Sequence, residues 1–306
     1  MRAARYHSYG APDVLVVEDA PEPHAVPGSV RIAVQAVSVN PIDFLLRSGR
    51  LKDAVPLELP AITGRDAVGV VDEVGDGVEG VQVGDVVFGL GGLADTTAEY
   101  AVLTAWSVVP EQWTTEQAAA AGLAASTAQA ALDALANLAG GSLDGTTLLV
   151  EGASGAVGTA AVALALAAGA TVIGTGSQAN QEHLRALGAL ATTYGEGLAG
   201  RIAELAPGSV DAAFHSAPSD SLPALVDIVG DAARVVTVVD TEGAARLGAL
   251  SVNARNDSDL LDRAAAVGRA GGWTPRVDQV VTLDDAQRAH ELAEGGGGKI
   301  VLTVRG

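Results

Sequence analysis

Residues 148–177 read LLVEGASGAVGTAAVALALAAGATVIGTGS, an apolar strand running into Gly152-x-x-Gly155-x-x-Gly158 and then an Ala, Val and Leu helix. Gly152 permits a sharp turn, Gly155 lets the backbone approach a diphosphate, and Gly158 allows close packing of helix on strand. Ser154 lies inside this turn. The free N–H groups of Gly155, Ala156 and Val157 at the helix start are expected to face the anion, aided by the helix dipole. The chemistry expected here is therefore binding of a dinucleotide. An Asp or Glu at the end of the following strand would hold the ribose 2′-hydroxyl of NAD, but Thr175, Gly176, Ser177, Gln178 and Asn180 occupy that region. A small polar loop admits a 2′-phosphate, with Ser177 and Asn180 as donors and Tyr194 closing from the third strand. No Lys or Arg lies in residues 177–181. The balance favours NADPH over NADH.

These residues need a parallel sheet to hold them. From residue 116 onward, Ala- and Leu-rich helical runs alternate with short apolar strands, expected at residues 147–150, 171–174, 191–194, 211–214, 235–239 and 249–252. Strands separated by helices make a doubly wound parallel sheet, so the fold class is α/β. In such a sheet the ends of the fourth and fifth strands line the cofactor crevice, which brings in Ser216, Val238 and Val239. His215 would face the same crevice as a proton donor or substrate contact, or else make a structural hydrogen bond. Residues 1–121 differ in texture, with short alternating runs such as SVRIAVQAVSV and AVGVVDEVG punctuated by Gly, Pro and Asp, the mark of an antiparallel β unit. After a helix from residue 258 to 270, a strand, a helix and a last strand are expected to rejoin that unit. The domains are then 1–121 with 256–306, and 122–255.

Eighteen basic residues against 37 acidic give a net charge of −19, a field that repels nucleic acid and anionic lipid. The absence of Cys removes disulfides, thiolate nucleophiles and Cys-containing zinc sites. The five histidines, His7, His24, His183, His215 and His290, show no metal-ligand spacing, so no metal is expected. The longest apolar run, residues 157–173, is broken by Gly169 and falls short of the ~20 residues that span a bilayer. With no basic start leading into an apolar segment, the expectation is a cytoplasmic protein.

Further motifs occur in a set order: VNPIDFLLRSG at residues 39–49, LPAITGRDAVGVVDEVGDGV at 59–78, AAAAGLAASTAQAAL at 118–132, and the closing GGGGKIVLTV. With the glycine turn in mid-chain, this set resembles the zinc-independent quinone oxidoreductase branch of the medium-chain dehydrogenase/reductases. The resemblance implies a GroES-like first domain and a Rossmann second domain. It places Asn40 and Pro41 beside the nicotinamide, brings Thr127 to the nicotinamide side, and sets Lys299 near the domain interface as a cofactor contact. Gly64-Arg65-Asp66 stands where zinc-bearing relatives carry Gly-His-Glu, and Phe44 stands where some relatives carry a proton-donating tyrosine, leaving Phe44 as a substrate contact. Asp43 is expected to orient its loop through backbone N–H bonds more than to act as acid or base. Asn40 is an amide donor to a substrate oxygen or a turn former. The implied activity is hydride transfer from NADPH, without zinc, to a quinone or an α,β-unsaturated carbonyl in the interdomain cleft. The alternatives are a dedicated enoyl or keto reductase and a non-catalytic NADPH-binding protein. A homodimer is expected, because pairing would cover the free edge of the sixth strand.

Overall fold

The computed structural model describes residues 1–304. Its chain divides into two compact units, one of Met1–Leu123, Asn256–Arg269 and Thr274–Gly306, the other of Ala124–Arg255 and Ala270–Trp273.

The first unit begins with β1 (Arg2–Tyr6), β2 (Leu15–Asp19), β3 (Val30–Ser38), helix α1 (Pro41–Arg47) and β4 (Ala61–Ile62). It continues through β5 (Asp66–Val74), β6 (Val86–Leu90), β7 (Tyr100–Leu103), β8 (Ala105–Val108) and α2 (Thr115–Ala119). Helix α1 starts where Asn40 is extended at φ −122° and Pro41 follows at the first helical position, where its missing N–H costs no bond.

The second unit carries most of α3 (Gly122–Leu138), then β9 (Thr147–Glu151), α4 (Ala156–Ala167), β10 (Thr171–Gly176), α5 (Gln181–Ala186), β11 (Leu190–Thr193) and α6 (Leu198–Leu205). There follow β12 (Ala212–His215), α7 (Leu222–Val229), β13 (Val235–Thr237), α8 (Thr241–Leu247) and β14 (Leu250–Ser251). All pairings are parallel and the order is β11-β10-β9-β12-β13-β14, the doubly wound arrangement with β9 at its centre. Leu149, Ile173, Ala213 and Val235 are buried among the residues of α6 and α7, as strands covered on both faces require. The fifth strand ends at Thr237, two residues short of expectation. There the Thr237 hydroxyl accepts the N–H groups of Val239 and Asp240, and the Asp240 carboxylate caps α8.

The chain then returns to the first unit with α9 (Ser258–Arg269), β15 (Gln279–Thr282), α10 (Ala286–Glu294) and β16 (Ile300–Thr303). That unit holds a three-stranded sheet, β2-β1-β4, and a seven-stranded sheet in which β15-β16-β3-β5-β6-β8 run in order and β7 pairs with β3. Its core gathers Val30, Ile32, Val34 and Val37 of β3 with Ile300 and Leu302 of β16 and Ala286 and Ala289 of α10. No described helix is long and apolar enough to cross a membrane.

Candidate functional site

The glycine turn closes in the second unit between β9 and α4. Gly152 has φ +76°, and a Cβ there would stand 2.7 Å from Ala217 Cβ. At Gly158 a Cβ would lie 2.2 Å from the Gly152 carbonyl oxygen, so strand and helix meet backbone to backbone. Gly155 differs, since its nearest neighbour would be 3.5 Å away and the residue is exposed. The turn is thus tight where it supports itself and open where a ligand must approach. The Gly155 N–H was expected to face the anion, but it donates to the Gly152 oxygen at 3.0 Å and closes the turn. The first bond of α4 is Thr159 N–H to Gly155 oxygen, which leaves the N–H groups of Ala156, Val157 and Gly158 as the unmatched donors of the first turn. A diphosphate fits this donor set.

Beside it, the loop after β10 brings three predicted residues together. Asn180 Nδ2 donates to Ser154 Oγ at 3.2 Å and to Ser177 Oγ at 3.1 Å. Gln181 locks the loop from beneath, its buried Nε2 donating to the carbonyls of Gly176, Ser177 and Thr192. Tyr194 is exposed beyond the end of β11. The nearby Arg201 donates to the carbonyls of Thr193, Tyr194 and Glu196, so its guanidinium serves as a backbone tie. Thr127 is buried on α3.

At the C-terminal ends of β9, β12 and β13 lies a polar knot. His215 is fully buried, with Nδ1 2.9 Å from Thr237 Oγ1 and Nε2 3.2 Å from Ser219 Oγ. Thr237 Oγ1 already accepts two backbone N–H groups, so its own hydrogen goes to Nδ1 and the ring proton sits on Nε2. Nε2 also stands 3.8 Å from the buried Glu151 carboxylate, which accepts the Ser219 hydroxyl at 3.1 Å. Burial lowers the His215 pKa, and Glu151 pulls it back up. The Ser216 hydroxyl is committed to the Glu151 carbonyl at 2.7 Å. Val238 is half-buried and Val239 exposed just past β13.

The first unit holds a second polar cluster, around the start of α1. Asp43 Oδ2 accepts the Asn40 backbone N–H at 2.7 Å, as a residue that orients its loop would. Asn40 Nδ2 donates to Asp66 Oδ1 at 3.1 Å and lies 3.3 Å from both the Ser38 carbonyl and its hydroxyl. The Asn40 side-chain oxygen Oδ1 accepts a hydrogen bond from Lys299 Nζ at 2.6 Å. Asp66 is fully buried and also accepts the Ser38 hydroxyl at 2.7 Å and the Leu123 N–H at 3.1 Å. Burial pushes the Asp43 carboxyl up to about 7, against the bond from Asn40. Its Oδ1 is buried without a hydrogen-bond partner. Phe44 packs half-buried against the apolar core beside it.

Comparison with known proteins gives these clusters their setting. Residues 26–114 match the alcohol dehydrogenase GroES-like domain, and residues 156–247 match a family described as zinc-binding dehydrogenase. The chain is 30% identical to a quinone oxidoreductase of Sus scrofa over 99% of this chain and 98% of that protein. It belongs to the medium-chain dehydrogenase/reductases. A chloroplast envelope quinone oxidoreductase homolog of Arabidopsis thaliana is 38% identical over 62% of this chain and 59% of its own length. Among solved structures, a mycobacterial protein complexed with NADPH superposes with a TM-score of 0.78 at 28% identity, covering 99% of this chain and 100% of the other. The protein is accordingly an oxidoreductase with an NAD(P)-binding fold, and its relatives include quinone oxidoreductases.

Two open alternatives narrow in this oxidoreductase. Asn40 has no amide hydrogen left for a substrate oxygen, because Asp66 and Ser38 take both. His215 has no exposed nitrogen, because Thr237 and Ser219 hold both sides of the ring, so it anchors the strand ends instead of standing ready as an acid. Sequence reasoning passed over Glu151 and gave Asp66 no role of its own. The signal for both was an acidic residue inside an apolar strand context, in LLVEG and TGRDAVG, where a carboxylate needs partners. Among the described residues, no group of three or more His, Asp or Glu is placed to hold a metal ion.

Proposed function

We propose that this protein is an NADPH-dependent reductase that passes hydride, without zinc, to a quinone or an α,β-unsaturated carbonyl. The observation that carries the reading is the Ser154–Asn180–Ser177 cluster beside the turn of Gly152 and Gly158, with no carboxylate in the loop after β10. A ribose 2′-hydroxyl would need an acceptor there, whereas a 2′-phosphate needs donors. NADPH, when bound, supplies the hydride. Around it, Ala156, Val157 and Gly158 would hold the diphosphate through their N–H groups. The hydroxyls of Ser154 and Ser177, held in place by the Asn180 amide, would donate to the 2′-phosphate, and Tyr194 would cover it. Thr127, Ser216, Val238 and Val239 would border the nicotinamide half. Zinc is left out because no Cys is present and Arg65 and Asp66 replace the imidazole motif. Electron-poor acceptors need little Lewis-acid help, whereas alcohol oxidation needs a base or metal to remove the hydroxyl proton.

The test is consumption of NADPH, with NADH as control, by the metal-free protein over a panel of quinones and conjugated enones. Turnover preferring NADPH is expected. Enone-only turnover would move the reading to a dedicated biosynthetic reductase, and tight NADPH binding without turnover would make the protein a non-catalytic binder. The same reading includes a homodimer in the cytoplasm, joined through the two-residue edge strand β14. Sedimentation as a monomer at micromolar concentration would remove the dimer from it.

A further inference from the structure

The two ends of β9 have different surroundings. Its last residue leads into the glycine turn, whereas its start lies beside a cavity of about 240 Å³ whose walls belong wholly to the second unit. Five strand residues rising ~3.3 Å each set the two places roughly 16 Å apart. Leu135 and Leu138 reach the cavity from the end of α3, Ala139 and Leu143 from the loop that follows, Asp211 from just before β12 and Arg234 from the turn before β13. Leu135 and Leu143 are buried, while Leu138, Ala139 and Arg234 are exposed and form an open mouth. Two opposite charges line this cavity without meeting. The Asp211 carboxylate accepts the Thr147 N–H at Oδ2, 2.8 Å away, and its Oδ1 is uncommitted. Among the described residues the Arg234 guanidinium meets only Asp231, through Nε at 3.6 Å, so the donors on Nη1 and Nη2 are unused. A cation and an anion held apart across an apolar wall suit a ligand that carries both complementary charges. The volume is below the ~300–1,000 Å³ of sites for drug-sized ligands, so that ligand is small.

We propose that this cavity is a binding site for a small aliphatic α-amino acid in its zwitterionic form. The α-carboxylate takes the two Nη groups of Arg234 as a bidentate pair, and the α-ammonium meets Asp211 Oδ1. The branched side chain lies against Leu135, Leu138 and Leu143, which removes apolar surface from water on both partners. A plain carboxylate would bring its charge beside Asp211, and a plain amine would bring its charge beside Arg234, so the site discriminates against each. Binding here needs neither a dinucleotide nor a hydride acceptor and is independent of the reductase reading.

The probe is L-leucine, titrated into the isotope-labelled full chain and followed through the backbone amide resonances. Shifts are expected at residues 138–147, 211–212 and 234, and not at residues 152–158. Isocaproate, which lacks the ammonium, and isoamylamine, which lacks the carboxylate, should each bind about tenfold more weakly or worse, the usual cost of losing one charge-assisted contact. Arg234→Gln, at an exposed position, should weaken L-leucine by a similar factor. Asp211→Asn keeps an acceptor for the Thr147 N–H, and it should weaken L-leucine while erasing its advantage over isocaproate, a reversal that damage to the fold would not produce. Absence of shifts at these amides, equal binding of the three molecules, or an L-leucine affinity that neither substitution changes overturns the proposal. Should either variant fail to fold, the comparison of the three molecules on the wild type decides. Loss of the reductase reading, judged by NADPH turnover, leaves this titration unaffected.

Discussion

Asp43 and His290 are buried titratable side chains of the first unit, and their environments set opposite pH responses. Burial raises the Asp43 carboxyl to about 7, so the folded protein holds this proton more tightly than the unfolded chain. Its contribution to stability therefore falls as pH rises from the ordinary carboxylate range to about 7. Asp43→Asn keeps an acceptor for the Asn40 N–H and removes that titration. Relative to wild type, the variant should gain stability from about pH 4 to about pH 7 and level off above that in urea denaturation. His290 is held near 3 by burial and by the neighbouring Arg47 cation. The unfolded chain takes up this proton first, so stability is lost as pH falls from about 6.5 toward 3. His290→Gln should flatten the decline between pH 6.5 and 4, read from the same denaturation midpoints.

Where α1 faces α10, an ion pair reaches the interior. Arg47 is 1% exposed and meets the Glu294 carboxylate while its Nη1 lies 3.3 Å from His290 Nδ1. Glu294→Gln would leave the buried guanidinium without its counter-charge. The fully buried case costs about 3–5 kcal/mol, and because Glu294 is itself one-third exposed the loss should be about 1–3 kcal/mol. Chemical denaturation of the variant measures it. The β9–α4 junction depends on absence of a side chain. Gly158→Val would drive carbon atoms into the Gly152 carbonyl and Ala153 Cα, forcing the helix away from the strand. Destabilisation of about 1–3 kcal/mol is expected, together with a loss of NADPH affinity of roughly tenfold or more, by thermal melting and fluorescence titration.

On the scale of the whole molecule, the −19 net charge sets an unfavourable field for a phosphate-bearing cofactor, and the fold answers with oriented backbone N–H groups. Binding energy should then appear where those groups are. NADPH at about 100 times its Kd should protect the amides of β9 to β14 by up to about 2.7 kcal/mol in hydrogen exchange. Smaller protection is expected in the first unit, and NADH at equal concentration should protect less. Equal protection by the two cofactors would remove Ser177 and Asn180 from 2′-phosphate recognition.

The sequence alone determined the alternation of helix and strand in residues 116–252 and the turn of Gly152 and Gly158, because period, glycine placement and strand length are local properties. The doubly wound sheet followed from that alternation, since strands joined by helices must run parallel. The pairing of Ser154 with Asn180, 26 residues apart, needed only the strand–helix–strand unit. What tertiary structure decided was the fate of polar groups brought together from distant segments. Lys299 reaches Asn40 across 259 positions, and Asp66 holds Ser38, Asn40 and Leu123 at once. Such contacts leave no periodic trace, because a buried donor or acceptor constrains only its partner and not the residues between. The same reason explains His215: its place at a strand end was legible, but the hydroxyls of Thr237 and Ser219 that occupy both nitrogens appear only when β12, β13 and the following turn are packed.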